Sequence, residues 1–351
     1  MENKKYYQHL DILRVLACVA VILLHTNARY VEQDFNSLNF IFGNFFVGIS
    51  RIAVPTFLMI SGSLLLDEGY NNTNEKDKRR IVKMLKFLVF WSVFYSLVYN
   101  VAIPLFKGRD VDIIYTIEMI IKGHYHLWFV YMMIGIYLIL PLLRLWIKKE
   151  NIKYVKYYLI LSFVFGFVLP QIIEVGLLFT DFFAHLQHIL TIANMNHVGG
   201  FVFYFVLGWY LNNTEFKNNK IFYLAGMMAL IFSIIFSIML SLYFNRKVSM
   251  YGNMTMNVVI FNIGFYLYVK NMDLKLQTKP KLKWIIDLIS EHSLGIYAVH
   301  ALINTIVIRI VTKVVGNFSL INVPICLIMV LVISLIITII IKKIPVLKQF
   351  V

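Results

Sequence analysis

The chain has little of what a soluble enzyme is built from. Its 351 residues include two cysteines, seven prolines and only 18 acidic side chains. Cys18 and Cys326 each lie inside an apolar segment, so neither a disulfide framework nor a cysteine-based metal site is implied. Charged residues make up 15% of the chain, where soluble domains carry about 25%. Internal repeats and low-complexity segments are lacking. No polar connection is longer than about 25 residues, which leaves no room for an appended soluble domain. The chain therefore reads as one transmembrane unit over residues 1–351.

What fills the chain is apolar. The hydrophobic fraction is 60%, the mean hydropathy is +0.75 and aromatics reach 16%. These values indicate an all-α, polytopic membrane protein. Hydrophobic length predicts ten spans, at about 10–28, 40–66, 81–103, 127–147, 157–178, 197–212, 221–244, 254–270, 285–311 and 321–342. The sixth and eighth are short. The formal charge of +15 reflects topology and not a nucleic-acid partner. With the N-terminus inside, 23 of the 33 Lys and Arg fall in inner segments, eight fall outside, and Arg14 and Arg51 lie within spans. That asymmetry predicts cytoplasmic N- and C-termini. Lys4 and Lys5 before an apolar run resemble a signal peptide, but Arg14 interrupts the run and no small-x-small site follows. The first helix is expected to be retained. The outer segment 110–123 places Ile113, Ile114, Ile117, Ile120 and Ile121 among polar residues, as an interfacial amphipathic helix does.

Ionisable residues inside spans are expensive and point to function. His25 follows Arg14 by eleven residues. At about 100° and 1.5 Å per residue the two share a helix face, about 16 Å apart. Arg14 can pair with Asp11, three residues away. It is either a helix-end arginine that snorkels to the interface or a phosphate contact at the mouth of a cavity. Arg51 sits near the middle of the second span. It must face a polar interior there, and Pro55 breaks the backbone ladder close by. It is a candidate to steady a thioester oxygen or a phosphate. Ser61, Gly62 and Ser63 suit close helix packing. His124, Tyr125, His126 and Trp128 mark the outer start of span four, either as an interfacial belt or as an acceptor site. Two histidines at that spacing are a weak metal signal. His300, in span nine, is expected at a depth similar to His25, as a packing residue or as a partner of that imidazole. His185, His188 and His197 read as surface residues beside an outer loop. Arg79 and Arg80 open span three, serving topology or donor phosphates.

These residues carry a resemblance. Leu10-Asp11, Arg14, His25, the Pro55–Gly62 segment, Leu127-Trp128-Phe129, Leu140-Pro141-Leu142-Leu143 and Ser293–His300 are similar, in order, to integral-membrane acyltransferase family three. The chain departs from the family pattern where Arg79 and Arg80 are adjacent with no following Pro, and where Ser63 replaces Phe. The resemblance implies a ten-span enzyme of the bacterial plasma membrane. It implies transfer of an acyl group, usually acetyl, from cytoplasmic acyl-CoA to an envelope glycan or lipid-linked sugar, with no permanently bound cofactor. It also implies catalysis by His25 and involvement of Arg14. On this scheme Arg51 assists catalysis, Asp11, Arg14, Arg79 and Arg80 hold the donor, and His126, Trp128 and His300 meet the acceptor. Ten spans and buried cations also suit a transporter or flippase of a lipid-linked sugar, although the chain shows no paired repeats of the transporter kind.

Overall fold

The computed structural model describes residues 8–68, 73–193 and 199–351. Among these residues the fold is all-α, that of a polytopic membrane protein. The helices are α1 (Gln8–Asn27), α2 (Leu38–Ser50), α3 (Ala53–Leu65), α4 (Asn74–Leu97), α5 (Ile103–Phe106), α6 (Ile113–Lys122), α7 (Trp128–Trp146) and α8 (Ile152–Phe163). The remainder are α9 (Leu169–Gly176), α10 (Phe182–Ile192), α11 (Gly200–Asn213), α12 (Asn219–Phe244), α13 (Met256–Lys270), α14 (Pro280–Val315) and α15 (Ser319–Lys343).

Among the described residues, eight helical segments are long and apolar enough to cross a membrane. The two further expected spans correspond to α11, of 14 residues, and α13, of 15 residues. Each is shorter than the roughly 20 residues that an upright span needs. Both are lined with buried side chains, including Phe203, Tyr204, Phe205 and Trp209 on α11 and Val258, Val259 and Tyr266 on α13. Their apolar character serves packing within the bundle more than contact with lipid.

Local sequence sets the ends of these elements. Ser37 caps α2 by accepting from Phe40 N, and Thr73 caps α4 by accepting from Lys76 N. Asp112 caps α6 in the same way, and Gly123, with φ +73°, ends it. Helix α6 is the expected amphipathic segment. It leaves Ile113, Ile114, Ile117 and Ile121 exposed, while Ser96 of α4 donates to the Thr116 carbonyl.

The expected single span 40–66 is two helices. Helix α2 ends at Ser50, Arg51 and Ile52 form a turn, and α3 starts at Ala53. Pro55 supplies a reason. It lacks the N–H that would bond the Arg51 carbonyl four residues earlier. Asn262 Nδ2 of α13 donates to that carbonyl instead, at 3.2 Å.

Helix α3 is held by α11 through a close crossing. A Cβ on Gly62 would stand 1.7 Å from the Phe205 carbonyl oxygen, and one on Gly208 would stand 2.1 Å from the Met59 carbonyl oxygen. Both obstacles are backbone and cannot rotate aside. Ser63 completes the contact, bonding the Gly208 carbonyl at 2.9 Å and the Tyr266 hydroxyl at 2.8 Å. The small residues at 61–63 thus serve close approach, as expected. Gly62→Ala is predicted to destabilise the protein by about 3 kcal/mol, the upper end for overpacking. Thermal unfolding of the purified protein in detergent checks this, and an unchanged melting temperature would show that the crossing can open.

Candidate active site

The site is organised by α1 and α14. Near one end, Arg14 Nη1 donates to Asp11 Oδ1 at 2.8 Å and to Ser290 Oγ at 2.9 Å, and Ser290 Oγ donates to Asp11 Oδ1 at 2.8 Å. Near the other end, Asn304 Nδ2 donates to the His25 carbonyl at 3.1 Å, and Thr26 Oγ1 donates to Asn304 Oδ1 at 3.2 Å. Residue numbers rise together on the two helices, so α1 and α14 run parallel and are pinned at two levels. Helix α1 is unbroken from Gln8 to Asn27. Arg14 and His25 are therefore separated by a helical rise of about 16 Å, as the spacing predicts.

His25 is half-buried, and among the described residues no protein group hydrogen-bonds its imidazole. Two rings face it. The Tyr125 ring centroid lies 5.1 Å away and that of His300 lies 5.2 Å away. His300 is buried, and its Nδ1 lies 2.7 Å from the Tyr297 carbonyl. A carbonyl only accepts, so Nδ1 carries the proton and Nε2 of the neutral ring presents a lone pair. That Nε2 is buried and has no protein partner among the described residues. His126 extends the cluster, 5.3 Å from His300 between centroids, with its Nδ1 2.8 Å from His124 Nδ1. Among the described residues no three His, Cys, Asp or Glu side chains are arranged to hold a metal ion.

Arg51 enters from the break between α2 and α3. Ile52 and Ala53, beside it at the break, pack with Ala20 and Val21 of α1, about one helical turn before His25. The Arg51 Cζ lies 5.0 Å from the Tyr251 ring centroid. Arg51 Nε, Thr56 Oγ1 and Asn262 Oδ1, at or near the break, are buried polar atoms without a protein partner among the described residues.

A cavity of about 140 Å³ lies beside α1 and α14, with Arg14, Ser293 and Tyr297 among its lining and Phe57, Phe129 and Met133 on its apolar wall. Tyr297 lies between this cavity and the histidines. Its hydroxyl donates to the His126 carbonyl, and its ring centroid is 5.8 Å from that of His300. The apolar space thus runs from Arg14 to Tyr297, which separates it from the histidines.

The other expected residues are placed differently. Trp128 is 40% exposed, and its ring contacts are Phe129 and Phe201, so the structure does not bring it to the histidines. It opens α7, and its direction is set by the 3-10 turn 125–127 that precedes that helix. Arg79 and Arg80 diverge. Arg79 is exposed, pairs with Glu75, and lies in a surface groove with Lys78, Lys83 and Lys86. Arg80 bonds Asp77, a buried carboxylate that also takes Arg144, whose Nε donates to the Leu65 carbonyl. His185 and His188 are exposed on α10, and His197 lies outside the described residues.

Ser290, Asn304 and Tyr251 were not singled out by sequence reasoning. Asn304 follows His300 by one helical turn, a readable signal once His300 is suspected. Ser290 and Tyr251 carry none. Both are common residue types, and their importance comes from what folds against them.

Loss of the Asp77 carboxylate removes an acceptor that two guanidiniums share. Asp77→Ala is predicted to cost on the order of 2 kcal/mol, below the 3–5 of a fully buried pair because both arginines are partly exposed. Arg79→Ala should leave stability unchanged. Thermal unfolding of the two variants side by side checks the assignment, and equal losses would contradict it.

Comparison with protein families gives one result for the whole architecture. A family model described as an acyltransferase domain matches residues 7–341. No curated protein and no solved structure matches the chain.

Proposed function

Because the chain belongs to the integral-membrane acyltransferase family whose model spans residues 7–341, we propose that it moves an acyl group, preferably acetyl, from cytoplasmic acyl-CoA to a hydroxyl of an envelope glycan or lipid-linked sugar. The bacterial plasma membrane is the setting that this reading requires. The observation that carries it is an apolar cavity lined by Arg14 and Tyr297, with His300 and a half-buried His25 beyond Tyr297, the latter without a protein hydrogen-bond partner among the described residues. An acyl-CoA has the matching anatomy. Its charged nucleotide suits the basic end, near Arg14 and the exposed Arg79. Its narrow pantetheine arm suits an apolar passage that places the thioester about 16 Å deeper.

The sugar hydroxyl approaches from the opposite side, among His25, His126 and His300. His25 takes the hydroxyl proton as the oxygen attacks the thioester carbon. The carbonyl oxygen becomes an oxyanion, and Arg51 is the cation assigned to stabilise it. The C–O double bond re-forms, the C–S bond breaks, and the thiolate of CoA takes the proton that His25 had accepted, which restores the neutral base. Asp11 holds Arg14, and Asn304 and Thr26 fix the backbone that carries His25. Trp128 has no part in this arrangement, and Arg80 acts through the Asp77 link.

The test is mass spectrometry of envelope glycans from cells with the wild-type protein, with His25→Gln, or with none. An acyl mass increment should appear with wild type and fall by about 10²–10⁴-fold with His25→Gln, the usual range for a general base. An acylation pattern identical in all three strains, with sugar accumulating inside cells lacking the protein, would replace this reading with transport.

A further inference from the structure

Among the described residues Arg51 has no counter-ion. Every salt bridge among the described residues involves other side chains. No protein group among them accepts a hydrogen bond from its guanidinium, and its Nε is buried. Buried cations are ordinarily paired with carboxylates. Here an aromatic face takes that place, with Arg51 Cζ 5.0 Å from the Tyr251 ring centroid.

The two solutions differ in what they leave behind. A carboxylate cancels the charge and occupies the guanidinium's donors. A ring attracts the cation through its quadrupole but leaves the net charge and the donors free. The structure also fixes the ring with care. Tyr251 is 3% exposed, although it belongs to the connection between α12 and α13. Its hydroxyl donates to Asn44 Oδ1 at 2.5 Å. Asn44 precedes Arg51 by seven residues, two helical turns along the same element. The connection is tied to α12, since Met250 N donates to Ser237 Oγ at 2.8 Å and Val248 N donates to Ser241 Oγ at 3.0 Å. Asn257 of α13 holds the Met250 carbonyl at 2.5 Å.

We propose that Tyr251 is a positioning residue for acyl transfer, holding the Arg51 guanidinium near His25 as an un-neutralised cation for the thioester oxyanion. This rests on the acyltransferase reading above. In the step concerned, the thioester carbonyl oxygen gains the electron pair of its π bond as the sugar oxygen attacks. The pair returns when the C–S bond breaks, and Arg51 exchanges no proton.

The experiment uses membrane vesicles carrying the full chain, radiolabelled acetyl-CoA, and envelope glycan from cells lacking the protein. Initial rates give kcat and the KM for acetyl-CoA for wild type, Arg51→Ala, Tyr251→Phe, Tyr251→Leu, Tyr251→Gln and Tyr251→Glu. Tyr251→Leu should lower kcat by about three- to thirty-fold, the range of a desolvated cation–π contact, with KM within about twofold. Tyr251→Phe keeps the ring and should lose less. The decisive pair is Tyr251→Gln against Tyr251→Glu, alike in size and different in charge. A glutamate beside Arg51 should be tolerated structurally yet fall to the level of Arg51→Ala, below glutamine. This pair decides the matter even if Tyr251→Leu does not fold. The proposal is overturned if Arg51→Ala is inactive while the leucine and glutamate variants match wild type, or if those variants change KM alone. Full activity of Arg51→Ala removes Arg51 from the reaction, and with it this role for Tyr251. Absence of transfer by wild type under every acceptor fraction sinks the acyltransferase reading itself.

Discussion

The parallel pairing of α1 and α14 is the constraint on which the site depends. Between apolar helices in lipid there is little hydrophobic drive to choose one register over another. Here polar side chains choose it. The Arg14–Asp11–Ser290 set fixes one level, and the Asn304 bonds to His25 and Thr26 fix the other. A slip of one residue on α1 would break both and rotate His25 by about 100°, away from His300. The cavity lined by Arg14 and Tyr297 exists because both helices present the same faces along its length.

A second constraint follows from the first. A histidine cluster at membrane depth is of use only if polar groups can approach it, and irregular backbone is tolerated there only inside protein. The break at Arg51 and Ile52 meets that condition through its neighbours. Asn262 of α13 takes the carbonyl that Pro55 leaves free. Just beyond the break, α3 is clamped by α11 through Gly62, Gly208 and Ser63. The short buried helices α11 and α13 thus brace a discontinuous helix, which explains why they are apolar without being long.

Much of this was legible in the sequence because helical periodicity is local. The spacing of Arg14 and His25 needs only one unbroken helix, and α1 is one. Asp11 pairs with Arg14 for the same reason. The small residues at 61–63 announced a close crossing, though not that α11 would make it. Periodicity says which residues share a face but not what covers that face. Arg79 and Arg80 look equivalent in a basic run. One turns to solvent, while the other joins Asp77, whose second partner, Arg144, is 67 residues away. Trp128 follows His126 closely and was grouped with it, but the 3-10 turn before α7 sends the two side chains apart. Arg51 was read as sitting within a continuous span. The break there depends on a donor for one carbonyl, which Asn262 of α13 provides.

Charge compensation changes along the axis, and that change has chemical meaning. At the basic end three arginines are matched by carboxylates: Arg14 by Asp11, and Arg80 and Arg144 by Asp77. A matched cation is a good structural strut, and its field is largely spent on its partner. Toward the histidines the pattern ends. Arg51 has an aromatic ring instead of a carboxylate, and His300 keeps a buried Nε2 without a partner among the described residues. Leaving such groups unsatisfied is costly in stability, and a fold selected for stability alone would place an acid beside Arg51. The groups that gain from this arrangement are ones that arrive from outside the chain: an oxygen that becomes negative beside Arg51, and a hydroxyl whose proton needs an acceptor. In acyl transfer from a thioester to a sugar, both come together on one carbon.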